Sequence, residues 1–149
     1  MDFVYKDGHA ETIIHDHKYN IDIVGLADCH PEDNDFENSN TGLSIASKRA
    51  FIKWLCFNRE EIRSQYNYLR HLVSCMEQSP KYNSESYENK FIAKQLKKLE
   101  DELYDIRLTI EEERKDLRDY IKQKDTFYNT TRRNRRIKEL EAMHEQGQI

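Results

Sequence analysis

The stretch IAKQLKKLEDELYDIRLTI, Ile92 to Ile110, decides the fold class. Ile92, Leu96, Leu99, Leu103, Ile106 and Ile110 recur at steps of four and three, the spacing of a coiled-coil seam, while Lys, Glu, Asp and Arg fill most positions between. One stripe needs cover and the rest suits water, so the segment is an amphipathic helix. Leu117, Tyr120 and Phe127 continue the seam, with Glu113 and Lys124 as its interruptions. A helix over 84–137 is expected, capped by Ser84, with Glu85 and Glu88 favourable beside the helix N-terminus. Unbroken, about fifty residues at roughly 1.5 Å rise make a rod on the order of 75 Å long. A single partner helix covers only part of such a rod, so a homo-oligomer is expected.

Working outward, QSPKYNSE supplies a break, because Pro80 has no backbone N–H and disfavours helix before it. Upstream, Leu43, Ala46, Ala50 and Trp54, then Ile62, Tyr66, Leu69, Val73 and Met76, keep the helical period and predict a first helix over 42–78. Its N-terminal part is the more apolar and is expected to pack on a small sheet. That sheet is predicted within 1–30, where β-branched and aromatic residues flank turn signals at Lys6-Asp7-Gly8 and His17 to Asn20. An acidic loop is expected over 31–41 and a tail over 138–149. The fold class is therefore mainly α with a small N-terminal antiparallel β-sheet (α+β). Two long antiparallel helices, the second coiled-coil-like, complete a single domain of 1–149. Four glycines and two prolines in 149 residues agree with a helix-rich chain.

At 37% hydrophobic and 35% charged, the chain supports a modest core. No apolar run reaches the length of a membrane span, and the N-terminus lacks the pattern of a signal peptide, so a soluble, cytoplasmic protein without a membrane partner is expected. Cys29, Cys56 and Cys75 are odd in number and form no C-x-x-C pair, which predicts reduced thiols. The net charge of −4 is unevenly distributed. Residues 1–41 carry ten acids against two bases, whereas 122–138 carry seven bases against one acid, so the two regions attract each other.

His15, His17, Cys29 and His30 include zinc-ligating residue types, but none of the usual ligand pairs is present, and no metal is expected. Glu32, Asp33, Asp35 and Glu37 lack the calcium-loop pattern and are read as a solvated acidic loop. With no nucleophile elbow, HExxH, Walker loop or dinucleotide fingerprint, the expectation is no catalytic residue, no cofactor and no enzymatic activity. The strongest candidate is FYNTTRRNRR, Phe127 to Arg136. On a helix, Tyr128, Arg132 and Arg135 or Arg136 share a face, where guanidinium forks grip phosphate and a ring stacks on a base. The bland alternative is a solvated basic helix end favoured by the helix dipole.

The segment IVGLADCHPEDNDFENSNTGLSIASKRAFIKWL, Ile23 to Leu55, carries G-x-A-x-C-H-P-x-D and then I-A-x-x-R-A. It resembles small proteins of bacteriophages that infect Gram-positive hosts, and SYENKFIAKQLKKLEDEL and KDTFYNTTRRNRR are similar to their helical half. A small sheet followed by two long helices also resembles the first-type phage Thoeris anti-defence proteins, which sequester a cyclic ADP-ribose signal between subunits. Carried onto this chain, the resemblance singles out His30, Pro31, Asp33 and Phe36, then Arg49, Ala50, Tyr87 and Asn89, and finally Phe127, Tyr128, Arg132 and Arg135. It implies an oligomeric, non-enzymatic anti-defence protein acting in the cytoplasm of the infected host. Its ligand site would draw on Arg49, Asn89, Phe127, Tyr128, Arg132, Arg135 and Arg136 and hold a small nucleotide signal. Two alternatives stand beside it: an anti-CRISPR-like inhibitor or nucleic-acid binder using the basic helix end against nucleic acid or a host nuclease, and a phage scaffolding protein.

Overall fold

The computed structural model describes residues 1–28 and 39–147. Strands β1 (Asp2–Lys6), β2 (His9–Asp16) and β3 (Ile21–Asp28) form one antiparallel sheet in the order β1-β2-β3, and helices α1 (Ser39–Glu77) and α2 (Tyr87–Glu145) follow. This is the α+β class the sequence predicts. Asp7 and Gly8 both take positive φ, 51° and 81°, the backbone that a two-residue hairpin between twisted strands requires. At the second turn the Asp16 carboxylate accepts the N–H groups of Lys18 and Tyr19, at 2.9 and 3.1 Å, and Asn20 takes φ 52°. Both turns lie where the sequence signals place them.

The chain divides into two compact units, one of Met1–Lys53 with Arg114–Ile149 and the other of Trp54–Glu113. In the first, one face of the sheet packs on the start of α1 through small residues. Ala10, Ala27 and Ala46 form a buried cluster joined by Tyr5, Leu43 and Ile45, and Ile23 and Ala50 are also buried. A Cβ at Gly25 would stand 2.0 Å from the Ala46 carbonyl oxygen and 2.5 Å from the Ala50 nitrogen, so only glycine permits this close approach of helix and sheet. Thr12, fully buried on the same face, shares a 3.0 Å hydrogen bond with the Ser47 hydroxyl, which removes the cost of an unpaired polar group.

In the second unit Leu55, Leu96 and Leu99 are buried and Ile110 is 1% exposed. The Tyr66 hydroxyl donates to a Glu100 carboxylate oxygen at 3.0 Å, a bond that also raises the phenol pKa. Leu96, Leu99 and Ile110 are thus covered within one chain, while Leu103 and Ile106 remain half-buried.

Boundaries differ from expectation in instructive ways. Helix α1 begins at Ser39, ahead of 42. Helix α2 begins at Tyr87 because Ser86, not Ser84, accepts the Asn89 N–H at 3.3 Å, while Asn83 accepts the Glu85 N–H at 3.0 Å. The stretch expected as a tail after 137 is helical to Glu145, since IKELEAMHE consists mostly of good helix formers. The stop comes at Gly147 (φ 71°), whose N–H bonds the His144 carbonyl at 3.0 Å. No helix among the described residues is long and apolar enough to cross a membrane. The expected acidic loop, with Glu32, Asp33, Asp35 and Glu37, lies outside the described residues, as do Cys29, His30, Pro31 and Phe36.

Candidate functional site

The candidate site is the part of α2 that belongs to the first unit. Phe127, placed on the seam by the sequence reading, is instead 59% exposed, and Tyr128 takes the inward position. From Lys124 the helix advances by four rather than three residues, which carries the row to Tyr128. The two rings meet edge to face with centroids 5.5 Å apart and planes at 67°. Around them Thr126, Thr130 and Thr131 donate their hydroxyls to the carbonyls of Lys122, Thr126 and Phe127 at 2.9, 2.9 and 3.0 Å. A threonine-rich stretch of poor helix formers thus keeps its polar groups satisfied inside a continuous helix.

Arg132, Arg135 and Arg136, with Glu139, line a hollow of about 200 Å³. Arg132 donates from Nη1 to the Asn129 side-chain oxygen at 2.7 Å, a bond that fixes the guanidinium along the helix. Arg132 and Arg135 are half-buried and Arg136 is exposed. The hollow is smaller than a typical pocket for a whole drug-sized ligand. Glu139 at its rim offsets part of the arginine charge.

Sequence reasoning missed the continuation of this site toward the middle of α2. Lys48 of α1 and Lys124 of α2 both place their ammonium groups against the Tyr120 ring, 5.5 and 5.4 Å from its centroid. Tyr120, Lys124, Tyr128, Arg132 and Arg135 are all half-buried and follow one another at steps of four, four, four and three. They form a row in which rings alternate with cations before ending in the arginine hollow. The signal was present, since Lys124 was seen as a break in an apolar seam. It belongs instead to the chemistry of the row.

The remaining expected site residues go elsewhere. Arg49 is exposed on α1 and donates from Nη1 to the Leu26 carbonyl at 2.7 Å, while Lys53 one turn on donates to the Val24 carbonyl at 2.8 Å. Together they cover outward-facing backbone along β3, a device that blocks edge-to-edge pairing. Ala50 is buried against the sheet. Asn89 belongs to the second unit, where its side-chain amide donates to the Asn83 carbonyl at 2.5 Å and closes the turn before α2, and Tyr87 is exposed at the helix start.

Of the histidines considered for zinc, His15 donates from its two ring nitrogens to Asp2 and Asp22, both at 2.7 Å, and His17 is exposed in the turn. The hydrogen bonds to Asp2 and then Asp22 hold the His15 imidazolium above the ordinary histidine value, and the same contact holds Asp2 below the ordinary carboxylate value. No group of three His, Cys, Asp or Glu side chains among the described residues is arranged to hold a metal ion. Compared with known proteins, the chain matches no family model, no curated protein and no solved structure.

Proposed function

We propose that this is a phage-encoded, non-enzymatic anti-defence protein that binds a small nucleotide signal and, acting as an oligomer in the host cytoplasm, removes it by stoichiometry. The observation that carries the ligand class is the row Tyr120, Lys124, Tyr128, Arg132 and Arg135, with Lys48 joining it at Tyr120. Arginine forks in the hollow take the phosphates, since charge-assisted bidentate bonds are the strongest that a phosphate accepts. Tyr128, with Phe127 edge-on beside it, offers the base a face to stack on. Nothing in this chemistry breaks a bond. The phage setting comes from the resemblance at Ile23 to Leu55, and the anti-defence role from the likeness of a small sheet followed by two long helices to the first-type phage Thoeris anti-defence proteins.

A second reading has its own support in the length of the row. Tyr120 to Arg135 spans roughly 22 Å along the helix at 1.5 Å per residue, longer than one nucleotide, which suits a nucleic-acid strand lying along α2. Calorimetric titration with cyclic and linear dinucleotides and with a single-stranded oligonucleotide, each at low and high salt, separates the two. Sequestration predicts a small nucleotide bound with a shallow salt dependence. Strand binding predicts an oligonucleotide preferred, with affinity falling steeply as salt rises.

A further inference from the structure

The sheet has a second face, and it is built to receive something. Opposite the side that packs on α1, the register aligns Asp2, Ile13 and Val24 in one row, Val4, Glu11 and Leu26 in the next, and Lys6, His9 and Asp28 in a third. Val4 is 50% and Leu26 43% exposed, so among the described residues nothing covers this face. Its apolar residues, Val4, Ile13, Val24 and Leu26, surround Glu11, and further carboxylates stand at both ends of the face. Asp28 and Glu11 flank His9, at 2.5 and 3.6 Å from its ring nitrogens, and Asp2 and Asp22 clamp His15 at the opposite end. A strip of this kind needs an occupant that is apolar along its middle and basic beside it.

The last turns of α2 have that composition. Arg133, Ile137, Leu140 and Met143 lie within about a third of the helix circumference, an arc that also holds Arg136 and whose Met143 edge adjoins Arg132. Ile137, Leu140 and Met143 are 42%, 55% and 39% exposed, so the stripe is open among the described residues. Glu139, Glu141 and Glu145 fall outside that arc, so the acids of this segment turn away from an acidic partner surface. A helix laid on the open face of a sheet is also the standard way to complete a two-sided layer.

We infer that the outer face of the sheet docks the C-terminal turns of α2 from a second copy of this chain, with Leu140 and Ile137 seated on Val4, Val24 and Leu26. Each copy both gives its helix end and receives a neighbour's, so the contact is heterologous and builds a closed ring or an open chain of copies. It does not draw on the leucine seam or on Arg132 and Arg135, and its test is read without any nucleotide.

Heterologous docking has a distinctive test. Wild type, Leu26→Glu and Leu140→Glu are compared by light scattering at equal micromolar concentration, with circular dichroism and thermal melting to verify the fold. Val4→Glu and Ile137→Glu take over should either first variant lose its fold. The wild type is expected at twice the 18.0 kDa chain mass or more, and each variant at the single-chain mass. An equimolar mixture of Leu26→Glu and Leu140→Glu should recover a dimer of one copy of each, because one intact face meets one intact helix end. A wild type at the single-chain mass, a folded variant that assembles like the wild type, or a mixture that stays at the single-chain mass each overturns the inference.

Discussion

Between Leu96 and Ile110 the inward positions of α2 are leucine and isoleucine of the Trp54–Glu113 unit, with Leu96, Leu99 and Ile110 buried and Leu103 and Ile106 half-buried. Between Tyr120 and Arg135 the helix keeps nearly the same spacing but presents Tyr120, Lys124, Tyr128, Arg132 and Arg135, all half-buried, in the other unit. A fully buried leucine contributes roughly 1.5 to 3 kcal/mol over an exposed one, whereas half-buried Lys and Arg cover surface with their stems and keep their charged heads near water. Stability alone favours carrying the leucines through. Under the proposed function, their replacement by rings and cations, together with Lys48 on Tyr120, marks the second half of α2 as the ligand-binding half.

The buried core of the unit that contains this half is the contact of α1 with the sheet, and breaking it has the largest expected effect. Gly25→Val forces a side chain into the Ala46 and Ala50 backbone and is expected to cost about 3 kcal/mol or more, read as a lowered urea midpoint, with loss of the sheet signal by circular dichroism. Next in size is Leu99→Ala, which empties a buried position of the leucine half at an expected cost of 2 to about 5 kcal/mol. Tyr128→Ala in the ligand half should change stability by less than about 1 kcal/mol. It should instead weaken nucleotide binding by roughly 1 to 3 kcal/mol through lost stacking. Equal losses of stability in the two variants would reduce the row to a polar stretch of ordinary seam and erase the contrast between the halves.

The smallest expected effect is a pH dependence seated in the sheet. The folded-state pKa of His15 is raised by Asp2 and Asp22, and that of His9 by Asp28, so the native state holds these protons more tightly than the unfolded chain. Their stabilisation is complete below the ordinary value of 6.5 and is lost as pH rises through the raised folded values. Urea midpoints should therefore decline on going above pH 6.5, and the double variant His9→Gln with His15→Gln should flatten that decline. Retention of the full slope in the double variant would assign it to other groups.

How much was legible in the sequence depended on the range of the interaction. The hairpin at Asp7-Gly8 and the leucine period of α2 are local patterns, and each appears where the chain signals it. Ser86 rather than Ser84 as the cap was not legible, because the stretch from Asn83 to Ser86 offers several side chains able to accept a backbone N–H. Arg49 and Lys53 reaching the β3 carbonyls, and Lys48 meeting Tyr120, depend on which elements become neighbours, and periodicity along one helix does not encode that. Lys124 looked like an error in the seam because the template was apolar. Its place is apparent only when the half-buried positions are followed past Tyr120.

The central claim is that the arginine end of the row holds phosphate, and calorimetry on the double variant Arg132→Glu with Arg135→Glu tests it most directly. Each lost charge-assisted contact removes roughly 1.5 to 3 kcal/mol. The account therefore predicts nucleotide affinity lowered by at least about a hundredfold, with the helical signal and melting temperature of the wild type retained. Undiminished affinity in a folded double variant contradicts it, and would leave these arginines as the solvated end of a long helix.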